Sequence, residues 1–308
     1  MITVLLAAYN GERFLPAQLD SLSAQTETDF QVLFQDDGSA DRTPEILAEA
    51  ARRDPRFVPA QEQGRHLGAV GNFLSLLRQA EGDLIMFCDQ DDVWEPDKIQ
   101  TLARAMRDAA ADAGEIPLMV HSDAVIIDEN GQVTEPSFFR LQGWDPGAVT
   151  LNRLLVQNNA TGCMMMLNRP LADLVVRHGD PEKMFMHDWF IALTAAAFGR
   201  IVFVDRPLTR YRQHGENAVG ASRATLIERG RKALREGDRA RDRIALTYSH
   251  TRAFREAYGD ALPGEAADLA DRYLATEKMP KPERLRAIRR LGCTMQSPVT
   301  RLGQIHFG

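Results

Sequence analysis

The sequence predicts an α/β fold, with a mostly parallel central sheet flanked by helices and a helical C-terminal extension. Three observations predict it. From Ile2 to Trp94, short apolar runs alternate with segments of helical period. That is the pattern of βα units, whose right-handed crossovers build parallel sheets. The runs are continuously apolar, as in strands buried on both faces. Several end abruptly in polar residues, and open α/β sheets place their ligands at the C-terminal ends of their strands.

The elements follow in order. Ile2–Ala8 is the first buried strand, Tyr9-Asn10-Gly11-Glu12 a turn, and Leu15, Leu19 and Leu22 mark a helix over Pro16–Ala24. Phe30–Phe34 is a second strand, ending in Asp36-Asp37-Gly38-Ser39-Ala40-Asp41, where Gly supplies the positive φ of a turn. Thr43-Pro44 opens a helix to about Arg53, the Pro standing where the first turn has no donor to lose. A short strand at Phe57–Pro59, a loop over Gly64–Gly68 and a helix from Gly71 to about Gly82 come next. Leu84–Cys88 is then the fourth strand, running into Asp89-Gln90-Asp91-Asp92-Val93-Trp94, with a helix starting near Pro96. Further strands are expected at Leu118–His121, Val125–Ile127, Cys163–Leu167 and Arg200–Val204. Helices are expected around Asn152–Val156, Pro170–Arg177 and Trp189–Phe198, and Leu208–His214 reads as a polar loop. Beyond Arg223 the pattern turns long, charged and helical, so residues 1–220 read as the main domain and 221–308 as the extension.

Composition narrows the function classes. With 44% hydrophobic and 26% charged residues, the chain can build a packed core. A net charge of −6 argues against general nucleic-acid binding. The run Val4–Ala8 lacks a cationic flank and is too short for a signal peptide, and no stretch approaches the ~20 apolar residues of a membrane span. Three widely spaced cysteines, Cys88, Cys163 and Cys293, read as reduced, buried thiols of a cytoplasmic protein.

The chemistry concentrates at Asp89, Asp91 and Asp92. Three carboxylates within four positions repel one another unless a cation is shared among them, and hard oxygen ligands suit Mg²⁺ or Mn²⁺. The competing reading is a solvated acidic turn before a helix. Tyr9, Asp37 and the acidic cluster lie at three strand ends of one sheet edge. A ring-stacking surface, an acceptor for a base N–H or ribose hydroxyl, and a site for a diphosphate-bound metal are what a nucleotide needs. Each piece is weak alone, and the order and spacing of all three carries the signal.

With these motifs the chain resembles the family 2 glycosyltransferases of the nucleotide-diphospho-sugar (GT-A) fold. The matching residues are Ala8-Tyr9-Asn10, the turn from Asp36 to Asp41, Asp89-Gln90-Asp91 as a DxD motif, and His187-Asp188-Trp189. Asp89 to Lys98, with Tyr211-Arg212-Gln213-His214-Gly215, is most similar to the rhamnosyltransferase-like branch. The likeness covers about residues 1–220. It implies that Tyr9 and Asp37 hold the nucleotide base, with the backbone near Ala7 alongside. It implies that Asp89 lies near the ribose or a metal-bound water, and that Asp91 is the direct metal ligand with Asp92 assisting. Asp188 matches the catalytic base, and His214 a further ligand or a diphosphate contact. Where much of the family has Glu-Asp, this chain has His187-Asp188, so a role for a preceding carboxylate falls away.

The implied reaction is inverting, metal-dependent transfer of a sugar from a nucleoside diphosphate, with deoxythymidine-diphospho-rhamnose the expected donor and a saccharide or lipid-linked glycan the acceptor. Asp188, just before Trp189-Phe190-Ile191, would stand at a helix N-terminus, where the dipole favours the ionised base; an N-cap would look the same. Arg210 and Arg212 are candidate diphosphate clamps. His187 reads as a pocket or capping residue, and His214 as a ligand, a phosphate contact or a plain loop histidine. Asn158–Cys163 is a candidate acceptor-side turn, and Trp94 and Trp189 read as core before sugar platforms.

Rival readings fit less of the chain. A haloacid-dehalogenase-type phosphatase would use Asp89-Gln90-Asp91-Asp92-Val93, but its nucleophile follows the first strand. An EF-hand fails because Trp94 occupies the glycine position and Gln100 the glutamate position. A nucleotidyltransferase lacks its glycine-rich basic loop, and a non-catalytic sugar-binding module leaves Asp91 and Asp188 without use. The extension carries Leu226, Ile227, Leu234, Ile244, Leu246, Tyr248 and Phe254 among many charges, an amphipathic helix broken near Gly237. After Pro282, Arg284, Arg286, Arg289, Arg290 and Arg301 face one acid, Glu283. That basic tail predicts either peripheral attachment to the inner membrane face or packing on the main domain or on a second subunit.

Overall fold

The computed structural model describes residues 1–61, 64–214 and 237–307. Gly215, Leu226, Ile227 and Leu234, and the 220/221 boundary, lie outside the described residues. In chain order the first half runs β1 (Ile2–Ala8), α1 (Leu15–Ser23), β2 (Phe30–Asp36), α2 (Thr43–Arg53), β3 (Phe57–Pro59), α3 (Gly68–Gln79), β4 (Leu84–Asp89), β5 (Val93–Trp94) and α4 (Lys98–Ala113). The second half runs β6 (Leu118–Ile127), β7 (Val133–Glu135), α5 (Phe138–Gln142), α6 (Leu151–Leu154), β8 (Met165–Asn168), α7 (Arg169–His178), α8 (His187–Phe198) and β9 (Arg200–Arg212). The extension holds α9 (Gly237–Tyr258), α10 (Gly264–Ala275), α11 (Lys281–Leu291) and α12 (Pro298–Phe307).

The described strands form one nine-stranded sheet in the order β3-β2-β1-β4-β8-β6-β9-β5, with β7 on β6. The parallel alternation read from the sequence holds from β3 through β4. Antiparallel pairing enters at β8, which runs against both β4 and β6, so the whole sheet is mixed. The continuous apolar runs do what such runs require. Leu5, Leu33, Ile85 and Phe87 face one helical layer, and Val4, Leu6, Val32, Phe34, Met86 and Cys88 face the other. On the first side lie α3, α7 and α8 with the C-terminal helices; on the second lie α1, α2 and α4.

Three boundaries differ from the sequence reading. Leu118–His121 and Val125–Ile127 are one strand, β6, whose register against β9 shifts around Ser122 and Asp123. Opposite that irregularity Pro207 sits inside β9, so the strand predicted to stop at Val204 continues to Arg212. Arg210 and Arg212 therefore lie on a strand rather than in a loop. The helix expected from Gly71 begins at Gly68, because the Asp37 carboxylate accepts from the Leu67 and Gly68 N–H groups at 2.6 and 2.9 Å.

Switching from β2–β3 on one side of β1 to β4 on the other opens a crevice between β1 and β4. Ala7 pairs with Asp89 there, so the candidate residues of three loops share this edge.

Candidate functional site

The crevice begins at Tyr9, which follows β1 and is 46% exposed. Its backbone is clamped by Gln90: Tyr9 N–H donates to Oε1 at 2.7 Å, and Nε2 donates to the Tyr9 carbonyl at 2.8 Å. The middle residue of Asp89-Gln90-Asp91 thus fastens the acidic loop to the neighbouring strand, a role the spacing did not reveal. The Tyr9 ring lies 4.9 Å from the His66 ring. His66 Nδ1 approaches Asp37 Oδ2 at 3.1 Å, so Tyr9, His66 and Asp37 form one wall. Asp37 is buried, and its two oxygens already hold the first turn of α3. Asp36 Oδ2 accepts from the N–H groups of Gly38 and Ser39, which shapes the turn above it.

The acids come next. Asp91 Oδ2 lies 2.7 Å from His214 Nε2, with both side chains largely covered. Asp92 is 1% exposed; its Oδ1 accepts the Arg212 N–H at 3.0 Å. Its Oδ2 is buried without a conventional hydrogen-bond partner among the described residues. One ligand atom each of Asp89, Asp92 and Cys163 fall within 4.8 Å of one another. Burial, with Asp91 adding repulsion, raises the Asp92 pKa to about 7. Burial and repulsion from Asp92, Asp91 and Asp188 push Asp89 well up. A cluster that favours protons this strongly has the donor set and the unmet charge demand of a divalent-cation site.

A cation set into this cluster is Lys98, fully buried in the first turn of α4. Its Nζ donates to the Cys163 carbonyl at 2.5 Å and to Thr209 Oγ1 at 2.8 Å, and lies 3.5 Å from the Trp94 ring centroid. Burial lowers its pKa to about 8, against the pull of Cys163, Cys88, Asp92 and Asp89. Lys98 enters the sequence reading only as the end of the Asp89–Lys98 stretch and Cys163 only as the end of a candidate acceptor-side turn. Only the fold brings them under the acids.

Asp188 lies on the first turn of α8, 6% exposed. Its Oδ2 accepts the Gly162 N–H at 3.2 Å, and its Oδ1 the N–H of Trp189 at 2.6 Å. Burial raises its pKa to about 6, partly offset by these hydrogen bonds and one from Asn158. The carboxylate thus ties the first turn of α8 to the turn before β8, while the N-cap position itself is held by Met186. Through Gly162 and Cys163, the turn Asn158–Cys163 links Asp188 to the acidic cluster.

Other expectations fare differently. His187 is neither a pocket nor a capping residue: it is packed against Phe73 and Phe87 at centroid distances of 4.4 and 5.2 Å, and burial drops its pKa to about 3. Trp94 and Trp189 are core, the latter donating from Nε1 to the Leu154 carbonyl. Arg210 is engaged by Glu95 at 2.8 Å. The Arg212 guanidinium binds the carbonyls of Asp91, Asp128 and Glu129, so it already buckles the acidic loop to β6.

Comparison with known proteins agrees with this geometry. The model of the family described as glycosyl transferase family 2 matches residues 3–171. The dTDP-rhamnosyl transferase RfbG of Shigella flexneri is 26% identical over 227 residues, covering 70% of this chain and 74% of that protein. Alignments with three further curated relatives, 26–28% identical, span 65%, 68% and 59% of their lengths. Among solved structures, S. aureus TarS 1-349 in complex with UDP aligns with a TM-score of 0.58 at 17% identity, covering 98% of this chain and 86% of that one. The mannosyltransferase PcManGT from Pyrobaculum calidifontis, in complex with GDP-Man and Mn²⁺, aligns with a TM-score of 0.51 at 16% identity, covering 95% and 85%. With more than half its length matched by the family model, and with this sheet order and these neighbours, the chain belongs to glycosyl transferase family 2 and has the GT-A fold.

Proposed function

We propose that the protein is an inverting glycosyltransferase that moves a sugar from a nucleoside-diphosphate donor to a saccharide hydroxyl in surface-polysaccharide synthesis. The observation that carries the reading is the pairing of Asp188 with the acidic cluster. The base candidate stands close enough to Asp89 for the two carboxylates to repel, on the crevice where the strand order reverses. Nothing favours the phosphatase reading, since the acidic loop follows β4 rather than the first strand. A sugar-binding module without chemistry leaves Asp188, buried at the start of α8 beside the acidic cluster, without a use.

The residues present fit a divalent cation: oxygen donors in excess, one buried oxygen unpartnered, and His214 set against Asp91. Asp91 would hold it, with Asp92 assisting and Asp89 and His214 beside it. When bound, Mg²⁺ or Mn²⁺ offsets the charge that gathers on the departing diphosphate. In this reading the protein's own groups do the rest. Tyr9 offers its exposed ring to the base, Asp37 and the backbone near Ala7 line the nucleoside side, and Arg212 holds the loop that carries Asp91. Asp188 takes the proton of the acceptor hydroxyl as it attacks the anomeric carbon, while the bond to the diphosphate oxygen breaks. One displacement of this kind inverts the anomeric centre.

The relative named as a dTDP-rhamnosyl transferase supports deoxythymidine-diphospho-rhamnose as the donor, and the Mn²⁺ of the mannosyltransferase structure supports a metal. A lipid-linked glycan as acceptor, reached from the cytoplasm, fits the same reading. The test is turnover with a panel of nucleotide sugars and acceptors, with and without chelator. Release of nucleoside diphosphate with formation of a glycoside, lost in EDTA and restored by Mg²⁺ or Mn²⁺, is expected. Inorganic phosphate as the product, or full turnover after metal stripping, would overturn the reaction class or the metal.

A further inference from the structure

The charge of this chain is unevenly placed. From Lys281 onward six basic residues face one acid, a balance of +5, which leaves −11 on the rest of a chain whose total is −6. The structure shows where part of that charge sits. Ile288 is the buried anchor of α11, and Arg286, Arg289 and Arg290 lie on its exposed side at the i, i+3, i+4 spacing of one helix face. Elsewhere, several exposed arginines are neutralised: Arg52, Arg53, Arg206, Arg252 and Arg272 each meet a carboxylate. Arg286, Arg289 and Arg290 make no ion pair among the described residues. On the last helix, α12, Leu302 and Ile305 also turn outward, 64% and 36% exposed. Leu302 is the most exposed large apolar side chain among the described residues. The two helices meet where Lys281 Nζ donates to the His306 carbonyl at 2.5 Å. They are fixed to the body by Arg153 and Asn152, which donate to the Thr294 and Leu291 carbonyls, and by the Gln296 N–H donating to Gln157 Oε1, so the surface is presented by a docked element.

We propose that this face of α11 and α12 docks on an anionic lipid surface. Charge complementarity selects the partner: three unpaired guanidiniums on one face seek phosphates. The exposed Leu302 and Ile305 select among anionic partners. An exposed apolar pair on the helix that follows the basic one gains nothing from a free phosphate or a nucleic-acid backbone, but inserts at a bilayer interface. The rest of the chain, at −11 in total, opposes close approach of a polyanion, so the basic face also favours one orientation of the protein on the membrane. The inference does not depend on the donor or on turnover.

The experiment is co-sedimentation of the full chain with vesicles of phosphatidylcholine alone and of phosphatidylcholine with phosphatidylglycerol, at low and high salt. Binding to the anionic vesicles only, released by salt, is expected. Replacing Arg286→Gln, Arg289→Gln and Arg290→Gln together should weaken partitioning by roughly a hundred-fold, from the usual worth of a basic residue at such a surface. Leu302→Ser with Ile305→Ser should leave the binding to be stripped by less salt. Circular dichroism and donor binding report whether each variant is folded. Equal sedimentation with neutral vesicles, none with anionic ones at low salt, or no change in the arginine triple variant would overturn the proposal. So would a salt-sensitive dimer, seen by light scattering and abolished by the same three substitutions without vesicle binding, which would give this face to a second copy of the chain.

Discussion

At the residue scale, Asp188 and Asp91 divide chemistry from binding, and the two separate by experiment. Asp188→Asn keeps the size of the side chain and one acceptor oxygen but cannot take a proton. Donor binding is expected to stay within about three-fold while kcat falls by roughly 10²–10⁴, the usual scale for a general base. Asp91→Ala is expected to do the reverse at first sight, weakening donor binding in the presence of metal, which calorimetry reads. The pH dependence of the parent enzyme follows from the raised pKa of Asp188. Turnover should climb as pH rises through about 6, where the carboxylate ionises. Stability runs the other way. A carboxyl whose folded pKa lies above its unfolded value binds its proton more tightly when folded, so its contribution is largest below the unfolded value of 3.8 and is lost as pH rises to about 6. Asp188→Asn lacks that loss. Across this window its stability relative to the parent should improve by on the order of 3 kcal/mol, measured by urea melts. A variant with near-parental turnover would leave Asp188 as a helix cap alone.

At the scale of elements, some placements were open to the sequence and others depended on partners far along the chain. The strands β1, β2 and β4 could be read because each is a short apolar run with both faces buried, a property of local composition. The start of α3 could not, because its cap is Asp37, supplied from the end of β2. β9 runs on past Val204 through Asp205-Arg206-Pro207, residues that disfavour a strand, and it passes them where β6 shifts register. Asp123, at that shift, is occupied with the start of α5, accepting from Ser137 Oγ and the N–H groups of Phe138 and Phe139. Among the candidate residues, Tyr9, Asp37, Asp89 and Asp91 could be singled out because they stand at or just after the ends of β1, β2 and β4. Gln90, Lys98 and Cys163 act through backbone and buried contacts that leave no spacing signal. The turn before β8 tests the coupling between these elements. Gly162 donates to Asp188, and a Cβ at this position would come within 2.9 Å of His187 Nε2. That ring cannot move aside easily, wedged as it is between Phe73 and Phe87. Gly162→Ala is therefore expected to displace the start of α8 and lower kcat at least ten-fold, with donor affinity nearly unchanged, since Tyr9 and Asp91 stand on other loops. Single-turnover kinetics alongside donor titration would check it, and a matching loss of donor affinity would show that the whole crevice had shifted.

At the scale of the molecule, the extension and the main sheet share one core. Tyr258 stacks on Phe190 of α8 at 5.7 Å and 15°, and its hydroxyl pairs with Thr194 Oγ1 at 2.9 Å. His250 lies 4.5 Å from the Trp189 ring, and Phe254 is fully buried between Phe190 and Tyr258. The helix that carries Asp188 thus has the sheet on one side and α9 on the other. A division into residues 1–220 and 221–308 remains a proposal about folding units, and this contact is where to test it. Phe254→Ala removes a buried ring from a packed aromatic cluster, a change that usually costs about 3–5 kcal/mol. If the two parts fold together, denaturant unfolding should keep a single transition, shifted by that amount, with fluorescence and circular dichroism coincident. If the extension is a separate unit, the variant should instead melt in two steps, with donor binding surviving the first. The single transition is expected, because the cavity would open directly against α8. Below that transition the variant should bind donor like the parent but turn over more slowly, since the loosened support lies behind Asp188 and not behind the loops that hold the nucleotide.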